Sequence, residues 1–427
     1  MPKPVEEKLL FLSKRNDIKK NFTRDMMKKT DRKIFCTLFF ALFATITGVG
    51  IVVPLLPVYA HDLGAGGLYI ALIFSAFSLS RTCFLPFFGR ASDKKGRKPF
   101  IIAGLLAYAF ISLAFILSQN IETLIAIRFI QGIASAMIMP VTQAYVADIT
   151  PAGTEGFSMG IFNISVFFGL SIGPLAGGFI NDHYSLNAAF GCMGLLAFIA
   201  FAFALLFLPP TSHEHGKSRD RIPATWNVLL KDRNVSGLIF FRFAYTACIG
   251  IIWSFLPVFA ESEFSLTSSS IGILVMLGVF ISGLLQTPMG YLADRFSRKT
   301  MGVFGGLLTC YAILSLGWAQ GFNDMFLANV LFGLGGGISM PAVTALAVAE
   351  GNKADSMGSV MGLFTMGHSL GMLAGSMAAG LMMDLFNLRH AFFLGSATML
   401  LGIIVFVVQL RTVTVEKIEN IADTEKL

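Results

Sequence analysis

Charge is what this chain has least of. Asp, Glu, Lys and Arg together make 13% of its 427 residues, against about 25% in a soluble domain. The acids are the more telling shortage: all 25 fall in tails, turns or the ends of apolar runs, and none sits in the middle of one. Cysteine is scarce as well, with five residues at 36, 83, 192, 248 and 310, each within or at the edge of an apolar run. An odd number placed in that way excludes a disulfide framework and reads as small packing residues. There is no Walker A string, no zinc-ligand spacing and no nucleophile elbow, so no enzyme, metal or cofactor is indicated. The glycine run at 333–337 lies in an apolar stretch with no strand before it, which suits helix packing better than dinucleotide binding. A cleavable signal is not expected either. The basic head runs to residue 33 and the first apolar run is too long for a signal core.

What the chain has in excess is apolar length. Hydrophobic residues make 55% of it, and a bilayer crossing needs about 20 in succession. Twelve such runs start near residues 34, 68, 99, 122, 157, 187, 234, 268, 300, 324, 356 and 389, which predicts an all-α integral membrane protein. The net charge of +7 is a topology signal and excludes a nucleic-acid reading. All Lys and Arg residues lie in the head, the tail and alternate turns, except Arg389 in an opposite turn and Arg81, Arg128 and Arg242 inside spans. This asymmetry places both termini in the cytoplasm of a plasma (inner) membrane protein.

The chain also repeats itself. "PLLPVYA" at 54–60 answers to "SFLPVFA" at 254–260, and "MPVTQAYVADIT" at 139–150 to "MPAVTALAVAEG" at 340–351. "MGIFNISVFFGLSIGPLAGG" at 159–178 answers to "MGLFTMGHSLGMLAGSMAAG" at 361–380. Both copies fall on the same side of the membrane, so two six-span bundles repeat in parallel about an axis along the membrane normal. The expected organisation is a basic cytoplasmic tail at 1–33, a bundle at 34–209, a cytoplasmic linker at 210–233, a second bundle at 234–410 and a tail at 411–427. In the head, Ile18, Phe22 and Met26 step by four. That suits either an amphipathic helix on the anionic inner leaflet or a tail that helps to set topology.

One charged turn occurs twice, between spans 2 and 3 and between spans 8 and 9. The first is Gly89, Asp93, Gly96, Arg97 and Lys98; the second is Gly290, Asp294, Ser297, Arg298 and Lys299. Glycine allows close helix approach and a carboxylate near a helix start is favoured by the dipole, so the pair can latch and release helix ends. The turn resembles motif A of the major facilitator superfamily, departing from it by Ser297 in place of glycine. Span 5 carries Gly169, Gly173, Pro174, Gly177 and Gly178, a spacing that permits close helix contact with a bend. It resembles motif C of the drug–proton antiporter branch, which implies export. Span 4 carries Arg128 to Gly132, "RFIQG", after Glu122, which resembles motif B. That likeness implies a role for Arg128 in proton coupling. At about 10 Å from the outer end it either faces a cavity or partner, or snorkels outward. The resemblance covers roughly residues 34–410 and implies the major facilitator fold, with a substrate site near the midplane and alternating access.

Further candidates for substrate or proton contact come from buried polarity. Arg128, Gln131, Ser135 and Thr142 share one face of span 4, and Arg242, Tyr245 and Trp253 one face of span 7. Arg81, about 12 Å from the inner edge, is placed to line the inner vestibule. Arg242 suits cavity lining or snorkelling. His368 suits proton transfer or packing. Asn163 and Gln286 read as buried amides. In drug–proton antiporters an acid precedes the proline string of span 1, and that position is Thr45 here. A cationic substrate is therefore disfavoured relative to anionic, zwitterionic or lipid-like ones. The expected activity is export of a small organic or amphipathic solute, multidrug-efflux-like, in exchange for protons and by a monomer. A lipid or lysolipid flippase, a proton-coupled uptake symporter and a sensor that has lost transport are the alternatives.

Overall fold

The computed structural model describes residues 29–150, 155–210, 226–354 and 356–410. The head containing Ile18, Phe22 and Met26, most of the linker and the tail from 411 lie outside the described residues. Among the described residues, twelve long helices follow one another, closely spaced except across the linker between the sixth and seventh: α1 Lys29–Asp62, α2 Gly67–Lys95, α3 Lys98–Leu117, α4 Ile121–Ile149, α5 Glu155–His183 and α6 Leu186–Phe207, then α7 Arg233–Phe264, α8 Ser268–Ala293, α9 Arg298–Leu316, α10 Phe322–Lys353, α11 Met357–Leu385 and α12 Leu388–Gln409. A six-residue helix, Trp226–Lys231, precedes α7. No strand occurs among the described residues.

The turns carry the caps that short loops need. Asn120, Ser185, Asp232, Thr267, Ser297 and Asn387 each accept a hydrogen bond from a backbone N–H in the first turn of the helix that follows, satisfying donors that no residue within the helix can reach. Prolines recur inside helices at equivalent places, Pro57 with Pro257 and Pro140 with Pro341. Such breaks are tolerated where neighbouring helices shield the freed carbonyls.

Among the described residues, eleven helices are long and apolar enough to cross a membrane. The other long helix, α11, has the length at 29 residues. Its glycines, serines and His368 dilute its apolar content, which suits a helix enclosed by neighbours on several sides. The lipid-facing surface is plain on α3, where Phe110, Leu113 and Leu117 stand exposed at helical spacing. The five cysteines are free, with Cys248 buried and Cys36 and Cys83 exposed, so only some of them pack as the sequence suggests.

The two halves pack alike. In the first, α1 lies against α5 and α6, α2 against α4, and α3 against α4 and α6. In the second, α7 lies against α11 and α12, α8 against α10, and α9 against α10 and α12. Between them run two seams, α5 with α8 and α2 with α11. These are pseudo-equivalent contacts, each joining the same pair of positions in the repeat.

Candidate functional site

Glycine surroundings reveal how the seams are closed. On the side opposite the basic turns, a Cβ on Gly178 would lie 2.2 Å from the Ser268 carbonyl oxygen, and one on Gly67 would lie 2.4 Å from that of Gly380. Backbone meets backbone there. On the basic side the equivalent positions are open: nothing lies within 4 Å of a Cβ placed on Gly89, Gly160, Gly290 or Gly362. The halves therefore touch at one end and part at the other, leaving a space that opens on the side of the basic turns.

Three partly exposed basic side chains stand on α2, α7 and α11. Arg81 stands fourteen residues from the end of α2 at Lys95, ~21 Å along the helix axis and deeper than its distance from the Gly89 turn suggests. Arg242 stands nine residues inside α7 and His368 eleven inside α11, ~14 and ~17 Å from the same side. All three are partly buried, and His368 is close enough to feel the charges of both Arg242 and Arg81. None has a carboxylate partner among the described residues. Instead, Arg81 Nη2 donates to Met139 Sδ at 2.8 Å and Arg242 Nη1 donates to Met340 Sδ at 2.8 Å. Met139 and Met340 are the same position of the repeated Met-Pro string. A thioether is a weak acceptor, so it positions a guanidinium without neutralising it. Arg242 also lies over the Phe364 ring at 5.1 Å. Its Nε and the Nδ1 of His368 have no partner. A buried, unpaired polar atom is costly.

Arg128 is elsewhere. It is 2% exposed, with Nη1 donating to Gln131 Oε1 at 2.7 Å and Nε to the Ile73 carbonyl at 3.3 Å. Its guanidinium lies 4.4 Å from the Phe77 ring centre and 5.1 Å from that of Phe74. Snorkelling is excluded, and in this state the side chain clamps α4 to α2. Glu122 is exposed and not paired with it. Gln131, Ser135 and Thr142 share the buried face. Replacing Arg128 with leucine should cost about 3 kcal/mol of stability, since the Ile73 carbonyl and Gln131 lose a charged donor. Thermal unfolding in detergent measures it, and an unchanged Tm would exclude the clamp. At the equivalent place in α10, Asn329 donates to its own helix at Met325.

The remaining candidates divide. Tyr245 is buried, stacked on Phe332 with centroids 5.7 Å apart, and its hydroxyl fills the place of a side chain at Gly336. Trp253 packs against the core. Tyr245 thus sits in the α7–α10 interface. Asn163 and Gln286 are exposed, contrary to the buried reading. Each lies about one turn from the Phe167–Gly283 contact between α5 and α8. Thr45 is buried and donates to its own helix at Ala41.

Among the described residues, the following contacts of the repeated turns hold each half together. Arg97 pairs with Asp93 and with Asp148, the latter at 3.1 Å, while Lys98 donates to the Leu205 carbonyl at 3.0 Å. Arg298 pairs with Asp294 at 3.0 Å and Lys299 donates to the Leu410 carbonyl at 2.8 Å. Asp93 and Asp294 are 61% and 70% exposed, as in a released latch. Gly96 has φ 86°, which explains glycine there. Ser297 has φ −60° and caps α9 through Thr300, so the departure from the pattern supplies a helix cap.

In α5, Gly169, Gly173, the Pro174 ring and Gly177 lie against Ile46 to Ile51 of α1, while the Pro174 carbonyl and Gly178 face α8 at Gly272 and Ser268. One stripe thus serves the bundle and the other the seam. The two sulfur acceptors escaped the sequence reading, although the Met-Pro repeat marks both. One grouping has metal-ligand chemistry: His61, Asp62 and Glu261, with ligand atoms within 4.8 Å of one another. It lies at the ends of α1 and α7 away from the basic turns.

The Major Facilitator Superfamily model matches residues 38–263 and 238–426. An uncharacterised transporter of this type from Methanocaldococcus jannaschii is 29% identical over 360 residues, covering 83% of this chain and 92% of that one. The quinolone resistance protein NorA of Staphylococcus aureus is 26% identical over 363 residues, covering 82% and 90%. Among solved structures, a bacterial homologue of the human lysosomal transporter Spinster superposes with a TM-score of 0.74 at 13% identity, over 90% of this chain and 96% of that one.

Proposed function

Because the chain belongs to the Major Facilitator Superfamily, and is thus a multi-pass membrane transporter rather than an enzyme, we propose that it exports a small organic or amphipathic solute bearing an anionic group. Transport proceeds by alternating access, in exchange for protons and by a monomer. The observation that carries the substrate class is that Arg81, Arg242 and His368, partly exposed on α2, α7 and α11, have no carboxylate partner among the described residues, the two arginines being held only by methionine sulfurs. An arginine fork matches a carboxylate or phosphate, and Phe364 and the methionines offer apolar surface to the rest of the solute. The relative named for quinolone resistance and the motif C glycines support export. Basic turns on one side support cytoplasmic termini in the plasma membrane, so the space opens inward. Of the groups suited to carry a proton, Asp148 is held by Arg97 and Glu350 by Lys353, whereas His368 has no ion-pair partner among the described residues and is the proton carrier.

The test uses everted membrane vesicles acidified inside by respiration, with a fluorescent weak base reporting lumenal pH. Anionic or zwitterionic amphiphiles should alkalinise the lumen only when the protein is present, and H368Q should abolish the response. A response confined to cations would overturn the substrate class. Silence across the panel would overturn proton exchange and favour a lipid flippase.

A further inference from the structure

The side opposite the basic turns is closed by more than close packing. Asp384, at the end of α11, accepts hydrogen bonds from the backbone N–H of Gly67 at 2.6 Å and of Leu68 at 2.8 Å. Asp182, at the end of α5, accepts from the backbone N–H of Ser268 at 3.0 Å and of Ser269 at 2.7 Å. Gly67 and Leu68 open α2; Ser268 and Ser269 open α8. They are the same two positions of the repeat, and Asp182 and Asp384 are likewise one position. Each carboxylate belongs to one half and each helix start to the other.

The physics favours this arrangement at both ends of the bond. The first N–H groups of a helix have no partner within it and carry the positive end of its dipole, so an anion is held there by charge and hydrogen bonds together. α2 needs the partner most: it begins after Gly66, which has no side chain to cap it. At α8, Thr267 caps Ser270 and Asp182 takes the two N–H groups before it. Asn181 adds a bond from Nδ2 to Ser268 Oγ at 2.9 Å. One turn before each aspartate a glycine brings the backbones together, Gly178 against Ser268 and Gly380 against Gly67. The chain thus spells Gly-x-x-x-Asp twice on this side, at 178–182 and 380–384, as it does on the basic side at 89–93 and 290–294. On the basic side those aspartates stay within their own half and stand exposed. On the opposite side they cross.

We propose that Asp182 and Asp384 form a symmetric pair of clasps, each seating a carboxylate on the helix start of the other half, and that the pair holds the outer side shut while the inner side is open. Opening outward requires both carboxylates to leave both helices. The clasps therefore set the balance between inward-open and outward-open states. The inference rests on alternating access but not on substrate, proton or direction of transport.

The experiment measures distance across the outer side without transport. Nitroxide labels replace exposed Tyr184 in the first half and exposed Ser262 in the second, in a background with the native cysteines replaced by serine. Pulsed dipolar spectroscopy on the purified full chain in lipid nanodiscs then reads the populations. The parent should give one short distance. D182A or D384A should raise the ratio of long to short distances roughly tenfold each, the order expected for losing charge-assisted bonds, and the double variant should raise it further. Asp182→Asn and Asp384→Asn keep shape and a neutral acceptor and should shift the ratio the same way by less. Asp324 is the control, because it accepts from Gln320 N at 2.8 Å within one half; D324A should leave the ratio unchanged. A double variant that retains the parent distance, or a D324A shift equal to that of the clasp variants, overturns the proposal. Because the distances are read without substrate, failure of vesicle transport leaves this result standing.

Discussion

Replacing both Arg81 and Arg242 with alanine should lower transport of an anionic amphiphile about a hundredfold, roughly tenfold for each arginine. Each guanidinium is positioned by a methionine sulfur at 2.8 Å and retains donors for an incoming anion. Removing one leaves the other and His368, so a single variant should keep measurable transport with a raised KM. Lysine in place of either should rescue in part, since it restores charge without the two-pronged fork. Leucine in place of Met139 or Met340 should reduce transport less, because the arginine loses only a weak acceptor. Initial rates in vesicles measure these effects. Equal losses for anionic and neutral solutes would mean that the arginines serve structure and not recognition.

The second large effect is on folding. A Cβ on Gly173 would lie 2.5 Å from the Thr47 carbonyl oxygen and 2.7 Å from the Gly50 Cα. Both are backbone atoms of α1, so no rotamer relieves the clash and the helices must separate. Gly173→Ala should destabilise the protein by about 3 kcal/mol, the upper end for overpacking, and lower its Tm by several degrees. Gly375→Ala in the second half should do the same, since its Cβ would lie 2.1 Å from the Ala247 carbonyl oxygen. Gly191→Ala is the control, with nothing within 4 Å, and should leave Tm unchanged. Gly89→Ala should separate the two properties. It meets open space in this state, so Tm should hold while transport falls if the inner ends must close over that glycine.

The residues differ in how readily the sequence betrayed them. Hydropathy, alternating basic turns and the internal repeat are each summed over many positions, so they announced the helices, their order and the two-fold architecture. Arg81, Arg242 and His368 stood out because an ionisable group inside an apolar run is expensive and needs a reason. The reading of Asn163 and Gln286 as buried failed because a helix pattern cannot tell a covered face from an exposed one. Arg128 was flagged for the same reason as the other arginines, yet Ile73, Gln131, Phe74 and Phe77 enclose it.

What the sequence determined by itself is the membrane-spanning class, the twelve helices, the pairing of the halves and the shortage of carboxylates within the spans. These follow from composition and period, which depend on neighbours along the chain. Only the tertiary structure decided which side is shut and which arginine is enclosed. It alone paired Asp182 with Ser268 and Ser269, and Asp384 with Gly67 and Leu68. The reason is that a carboxylate at a span end looks the same in sequence whether it faces water or another helix. Its role is set by the helix start that packing brings within 3 Å.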